Sequence, residues 1–404
     1  MEKILRTSIE KIPAAPGQRI LVISDIHGHV NRLVQLLKKL EYGGNDILVI
    51  VGDLIDKGPE SLRVVRYVME LCRQRPVYVS MGNVDLGRLQ QIWDDTPESD
   101  EDFAGFLRWS QETWGSCLVL EMLKELGIDV SQVDGGNAGE AKKRIREAFR
   151  EELDFLWSRP TVLTAGDYLF VHGGVPTDDL EVLAKEEPFS LLKNDDFLNK
   201  GLCFERYTVV TGHWPTCLYR RDQEDVSPLI ERKRRIVCID GGCGLKSSGQ
   251  LNGLILPDCR AGLDRIRWTS YDDFPVARAL ENQEPTPSAI HIQYFDSRVE
   301  LLEEKDGLAR VRHLSSGGVL TVPKSWTYHG SHGSLHCSDW CDGKLSVAAG
   351  EELSIIFEAD GGFYAKKAGR IGRYEGRIEW VTSQGRKIHA DYEKACFAEN
   401  LSSH

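Results

Sequence analysis

Five apolar runs of β-type each end on glycine beside an acidic, amide or imidazole side chain, and this recurrence limits the fold more than any other feature of the chain. Ile20–Ile23 leads to Asp25-Ile-His27-Gly28. Ile47–Val51 leads to Gly52-Asp53-Leu-Ile-Asp56-Lys57-Gly58, and Val77–Ser80 leads to Met-Gly82-Asn83. Tyr168–Val171 precedes His172-Gly-Gly, and Tyr207–Thr211 precedes Gly212-His213. Amphipathic segments separate the first three: Asn31–Leu40 places apolar residues at 33, 34, 36, 37 and 40, and residues 60 to 72 repeat the pattern through Leu62, Val65, Tyr67 and Val68. The tips therefore recur about every 30 residues, the size of one β-α-β unit. Open α/β sheets bind ligands at the C-terminal tips of their strands. Asp, Asn and His together, with no thiolate in the set, suit a pair of divalent ions.

Length and composition bound the rest. At 404 residues the chain exceeds one ordinary core, so two domains are expected. No apolar run approaches a membrane span, and Met1-Glu-Lys-Ile-Leu-Arg lacks a signal-peptide core. The ten cysteines follow no disulfide-scaffold spacing, so reduced thiols and a cytoplasmic location are expected. A net charge of −12 argues against long nucleic acid as a partner, because backbone binding rests on Lys and Arg. It leaves room for a small phosphorylated substrate beside bound cations.

Texture divides the chain at about residue 285. Residues 1–284 would form the domain that carries the tips, with a helical insert at about 86–158 rich in Glu, Lys and Trp. Asp94–Asp102 within the insert reads as a solvated acidic loop. Asn282–Ser288 looks like a linker. Residues 285–404 hold short alternating strands separated by Gly and Asp turns, the pattern of an all-β region of one or two small barrels resembling the Src-homology-3 type. That region is the expected place for a protein partner, although fold alone does not say what it binds.

Between about residues 18 and 258 the ordered motifs Asp-x-His, Gly-Asp-x-x-Asp-x-Gly, Gly-Asn, Val-His-Gly-Gly, Thr-Gly-His-Trp-Pro-Thr and Ile239-Asp-Gly-Gly-Cys243 resemble the calcineurin-like metallophosphoesterases, in the branch of protein Ser/Thr phosphatases and bacterial diadenosine tetraphosphatases. The resemblance implies an α/β fold of two packed mixed sheets flanked by helices. It implies a dinuclear site in which Asp25, His27 and Asp53 hold one ion, while Asp53 bridges to a second held by Asn83, His172 and His213. Mn²⁺ is the expected ion, with Fe or Zn²⁺ as alternatives. Such a pair turns a bridging water into hydroxide near neutral pH for attack on phosphorus. The expected substrate is a phosphoprotein or a nucleotide. Lys57 and Asn83 would contact the phosphoryl group, and Asp56 would support its loop.

Two positions depart from the family pattern. Lys57 stands where arginine is usual, and an ammonium lacks the bidentate fork. Val84 stands where a histidine usually protonates the leaving oxygen. Loss of a general acid costs about 10²–10⁴-fold in rate, most for alkoxide leaving groups and least for aryl phosphates and phosphoanhydrides. Asp85 is a candidate replacement if its pKa is raised, and His29 is another. Asp240 is expected beside His213. The function expected is hydrolysis of phosphomonoesters or phosphoanhydrides by metal-activated water. The alternative is a weakly catalytic metal-binding module.

Overall fold

The computed structural model describes residues 5–381 apart from 288, 306, 331, 332 and 360. It divides into two compact units. The first comprises residues 1–215, 228–244 and 250–271, and the second comprises 216–227, 245–249 and 272 onward. The division thus falls at Tyr271, not at 284/285, and the second unit takes in two short segments from between the motifs. The sequence misleads here because Val276–Ala279 reads like the strands before it, yet it pairs with Glu352–Ala359 and Ile378–Trp380.

In the first unit the strands are β1 (Ile9–Lys11), β2 (Ile20–Ile23), β3 (Ile47–Val51), β4 (Val77–Ser80), β5 (Val162–Ala165), β6 (Tyr168–Val171), β7 (Thr208–Thr211), β8 (Leu229–Glu231), β9 (Ile236–Cys238), β10 (Leu251–Leu256) and β11 (Arg267–Tyr271). One mixed sheet has the order β1-β5-β6-β7-β9-β8 and the other β11-β10-β2-β3-β4. Strands β2, β3 and β4 are parallel, as are β6, β7 and β9. The continuous apolar runs have a geometric cause: both faces of the second sheet are covered. With a period of two, Ile20, Val22, Ile47, Val49 and Val51 join Phe170, Val210, Val237 and Leu254 in a core shared by the two sheets. Leu21, Ile23, Leu48 and Ile50 join the helices in the other core.

That helical layer holds α1 (Val30–Lys39), α2 (Ser61–Gln74), α3 (Asn83–Trp93), α4 (Pro97–Thr113), α5 (Leu118–Glu125), α6 (Ala138–Ala148) and α7 (Arg150–Trp157). The segment 86–158 is helical as its period implies, and Phe103, Leu107, Leu118, Ile145 and Leu153 are buried in the same core as α1 and α2. The acidic stretch differs from the expected loop. Thr96 caps α4 by accepting the Ser99 N–H, Pro97 follows it, and Glu98 and Asp100 lie in the first turn. A capping hydroxyl, proline at the first helical position and acids at the positive end of the helix dipole together start a helix.

The strands of the second unit are β12 (Val276–Ala279), β13 (His291–Ile292), β14 (Val299–Lys305), β15 (Leu308–His313), β16 (Val319–Pro323), β17 (Thr327–His329), β18 (Leu335–Cys337), β19 (Trp340–Cys341), β20 (Glu352–Ala359), β21 (Gly362–Lys367), β22 (Arg370–Tyr374) and β23 (Ile378–Trp380). They form small antiparallel sheets, the largest ordered β22-β21-β20-β12-β23. Within this unit Glu224 is buried and accepts from Ser248 Oγ and Tyr364 Oη, and Lys366 Nζ donates to the Ser248 carbonyl at 2.9 Å. The two segments 216–227 and 245–249 are therefore part of its interior.

Candidate metal centre

Five of the six predicted ligands sit in the turn after a strand while Asn83 opens α3, and several of the turn residues hold a conformation that most residues avoid. Asp25, His27, Asp53, Asp56, Lys57 and His213 all have φ between 46° and 66°. Left-handed backbone at non-glycine residues costs about 1–3 kcal/mol each and persists where the surroundings over-determine it. The glycines beside them serve close approach. A Cβ at Gly82 would lie 2.1 Å from the Asp53 nitrogen, and one at Gly212 would lie 2.2 Å from Asp25 Oδ2.

The three tips of one sheet and the two of the other converge. Ligand atoms of Asp25, Asp53 and His172, all buried, lie within 4.8 Å of one another. His172 Nε2 is 3.3 Å from Asp53 Oδ2 and 3.0 Å from Asn83 Oδ1. His27 Nε2 is 3.6 Å from Asp53 Oδ2 and 4.0 Å from Asp25 Oδ1. The His213 N–H donates to both Asp25 carboxylate oxygens at 3.2 and 3.1 Å, and its ring centroid is 5.3 Å from that of His172. All six residues expected to hold metal are thus brought to one place.

Hydrogen bonds on the far side of each ring select the tautomer. His27 Nδ1 donates to the Ile55 carbonyl at 3.0 Å, and His172 Nδ1 to the Val51 carbonyl at 2.9 Å. In a neutral ring each Nε2 would present a lone pair toward carboxylate oxygens. Acceptors facing acceptors in a buried site demand a proton or a cation between them. Electrostatics says the same. Burial opposes charge on His172, but Asp53 and Asp25 outweigh it and raise its pKa to about 10. Burial also opposes charge on Asp53, yet His172, His27 and Lys57 hold it well below the usual carboxylate range. Burial and the Asp53 charge push Asp25 up to about 6, and burial beside Lys57 drives His27 down to about 3. Asp240 is fully buried, one of its carboxylate oxygens has no hydrogen-bond partner, and burial with the nearby Asp25 raises its pKa well above normal. This donor set fits cations of hard-to-intermediate character.

Other assignments shift. Asp240 Oδ1 accepts the Gly242 N–H at 2.7 Å. The carboxylate on His213 is Asp195, whose Oδ1 is 2.7 Å from Nε2. Asp195 comes from an irregular segment with no motif, which is why the sequence does not reveal it. Burial lowers the pKa of His213 and the bond to His213 holds Asp195 low, so a neutral ring donates Nε2–H and keeps a lone pair on Nδ1. Asp85 accepts the Leu54 N–H at 3.0 Å and the Gly82 N–H at 3.1 Å, one on each oxygen. It ties the loop after β3 to the start of α3, and burial with Asp53 raises it to about 7. Val84 offers its N–H to Asp53 Oδ1 at 2.9 Å, and its side chain packs on the helical core. Lys57 Nζ lies 3.4 Å from His27 Nε2. Asp56 accepts from Arg88 Nε at 2.9 Å and from the Leu118 N–H at 2.8 Å. His29 precedes α1 and makes no side-chain capping bond.

The model of the calcineurin-like phosphoesterase family matches residues 18–242, more than half of the chain. The chain belongs to that family. As a calcineurin-like phosphoesterase it is a metal-dependent hydrolase of phosphoesters. Among curated relatives, the symmetrical bis(5'-nucleosyl)-tetraphosphatase of Buchnera aphidicola (subsp. Baizongia pistaciae) is 25% identical over 263 residues, covering 55% of this chain and 89% of the relative. The symmetrical enzyme of Escherichia coli (strain HS) is 44% identical over a shorter stretch of 66 residues, 16% of this chain and 23% of that one. A solved Saccharomyces cerevisiae protein serine/threonine phosphatase, with similarity to human phosphatase PP5, covers 66% of this chain and 83% of its own at 13% identity and a TM-score of 0.41. Among the described residues no helix is long and apolar enough to cross a membrane.

Proposed function

We propose that this phosphoesterase hydrolyses phosphoanhydrides and aryl phosphates by attack of an activated water, in line with the leaving group, and that it is poor on alkyl phosphomonoesters. The observation that carries this reading is the convergence of Asp25, Asp53 and His172 within 4.8 Å beside a helix that begins Asn83-Val84. Asp25, His27 and Asp53 would hold one ion, and Asp53, Asn83, His172 and His213 the other. When bound, a pair of divalent ions, Mn²⁺ in this reading, supplies Lewis acidity and a water of lowered pKa.

The chain's own residues do the rest. Lys57 attracts the phosphoryl oxygens, and the Asn83 amide adds a neutral contact. Asp195 orients His213. The valine side chain supplies no proton to the departing oxygen, so leaving groups stable as anions are favoured. Asp85 spends both oxygens on backbone N–H groups, which makes it a support for the loop and not the missing acid. Dinucleoside polyphosphates, named for the Buchnera and Escherichia relatives, meet the leaving-group requirement, and a nucleotide substrate is favoured over a phosphoprotein on this ground. The five-stranded sheet of the second unit, in which the last strand flanks the first, is read as a small barrel of Src-homology-3 type and as the place for a protein partner. A cytoplasmic setting suits cysteines in the thiol form, of which the described residues hold nine.

The test is hydrolysis by Mn²⁺-loaded protein of diadenosine tetraphosphate, p-nitrophenyl phosphate and a phosphoserine peptide, with Asp53→Asn as control. Activity on the first two, lost in the control and weak on the peptide, is expected. Equal rates on all three would sink the leaving-group argument. No activity above the control with metal bound would favour the second reading, a metal-binding module with little catalysis, which Val84 and Lys57 support.

A further inference from the structure

An open cavity of about 830 Å³ lies in the first unit, away from the metal centre. Asp167 and Tyr207 line it, and these residues immediately precede β6 and β7. His172 and Gly212-His213 immediately follow the same two strands. Because β6 and β7 are parallel four-residue strands, the cavity opens at the end of the sheet opposite the ligands, about 13 Å away along each strand.

Its wall is cationic in an acidic protein. Lys11, Arg206 and Arg260 line it against the single carboxylate of Asp167, while the chain as a whole carries a net charge of −12. All three are exposed, and among the described residues their side chains hold no hydrogen bond or ion pair. Two nearby carboxylates hold the backbone around these cations. Asp178 Oδ2 accepts the N–H groups of Glu205, Arg206 and Tyr207 at 3.1, 2.6 and 3.1 Å. Asp258 Oδ1 accepts the Arg260 N–H at 2.8 Å, and its other oxygen accepts from Gly17. Two acids thus shape the loops that present the cations, and Asp258 also feels the Arg260 charge. Ile9, Ile12, Pro13 and Leu180 supply an apolar side, and the Arg206 guanidinium stands 5.5 Å from the Tyr207 ring centroid. Cations beside an apolar and aromatic wall, in a concavity of this volume, match a small anionic ligand with a planar or apolar body.

We propose that this cavity is a second anion site, which binds a phosphorylated small molecule of nucleotide size and is separate from the phosphoester site. The proposal is independent of which substrate the metal centre hydrolyses. The experiment uses the full chain carrying Asp53→Asn, in EDTA, titrated calorimetrically with AMP, with inorganic phosphate and with adenosine. Saturable binding of AMP is expected, weaker for phosphate and weakest for adenosine. Adding Arg206→Glu or Lys11→Glu should weaken AMP at least tenfold. With Asp53 intact, the same charge reversals should leave p-nitrophenyl phosphate hydrolysis and thermal melting unchanged, which separates loss of the site from loss of the fold. Phosphate binding as tight as AMP, and equally sensitive to Arg206→Glu, would also support an anion site and would assign the ligand as free phosphate. No binding of AMP or phosphate, or binding indifferent to both charge reversals, would overturn it.

Discussion

Asp56 and Arg88 form a buried ion pair, Nε to Oδ2 at 2.9 Å, with the carboxylate fully inaccessible and the guanidinium 10% exposed. Arg88 also lies over the Phe106 ring at 3.4 Å. The carboxylate three residues after Asp53 therefore ties the ligand loop to α3 and α4, and it is not free to orient a proton donor at position 84.

Removing Arg88 would leave Asp56 buried without its cation. Arg88→Ala is expected to destabilise the protein by about 3–5 kcal/mol, read from urea unfolding of the metal-free protein. A loss below 1 kcal/mol would show that water reaches Asp56.

Val84→His should restore a proton donor only in part. The gain on a phosphoserine peptide should exceed the gain on p-nitrophenyl phosphate, yet fall short of the full 10²–10⁴-fold, roughly, of an oriented acid, because Asp56 is committed to Arg88. Steady-state rates on the two substrates decide it, and an equal gain on both would contradict the leaving-group reading.

Asp195 sets the tautomer of His213 from outside the proposed ligand set. Asp195→Ala is expected to weaken metal affinity or activity by roughly 10–100-fold with little change in melting temperature. Titration with Mn²⁺ followed by activity measures it, and unchanged affinity and rate would mean His213 needs no partner.

Metal binding should be linked to protons. Burial disfavours charge on His172, but the carboxylates prevail and raise it to about 10. In the metal-free protein this ring is therefore protonated at neutral pH, and binding must expel about one proton from it. Apparent affinity should rise with pH between 6 and 9 on this account, and calorimetry in buffers of different ionisation enthalpy should show proton release. Affinity that is flat in pH would remove the proton from His172.

Much of the first unit is legible in the sequence because its causes are local. Apolar runs with period-two sharing between two cores make β2 and β3 unmistakable, and glycine next to a ligand marks each tip. That Asp25, His27, Asp53, Asn83, His172 and His213 come together is legible for that reason. Asp195 is not, since its role depends on a loop folding back over sequence that carries no pattern. The start of α4 is hidden by charge, because acids at a helix N-terminus look like acids in a loop until the Thr96-Pro97 cap is weighed. The division at Tyr271 depends on β12 pairing with β20 and β23, 73 or more residues away, a partnership that alternation alone cannot disclose.

The two segments that the second unit borrows bear on how such a chain could be shortened or could have arisen. Glu224 and Ser248 belong to stretches that leave the first unit just after Pro215 and Gly244 and re-enter it within a dozen residues, and their partners Tyr364 and Lys366 lie more than a hundred residues downstream. A protein ended at residue 271 would keep both stretches, and the bond between them, but lose Tyr364 and Lys366, exposing a buried carboxylate in each copy. The C-terminal region is thus stitched into the gene at three places, and no single cut yields two self-sufficient halves.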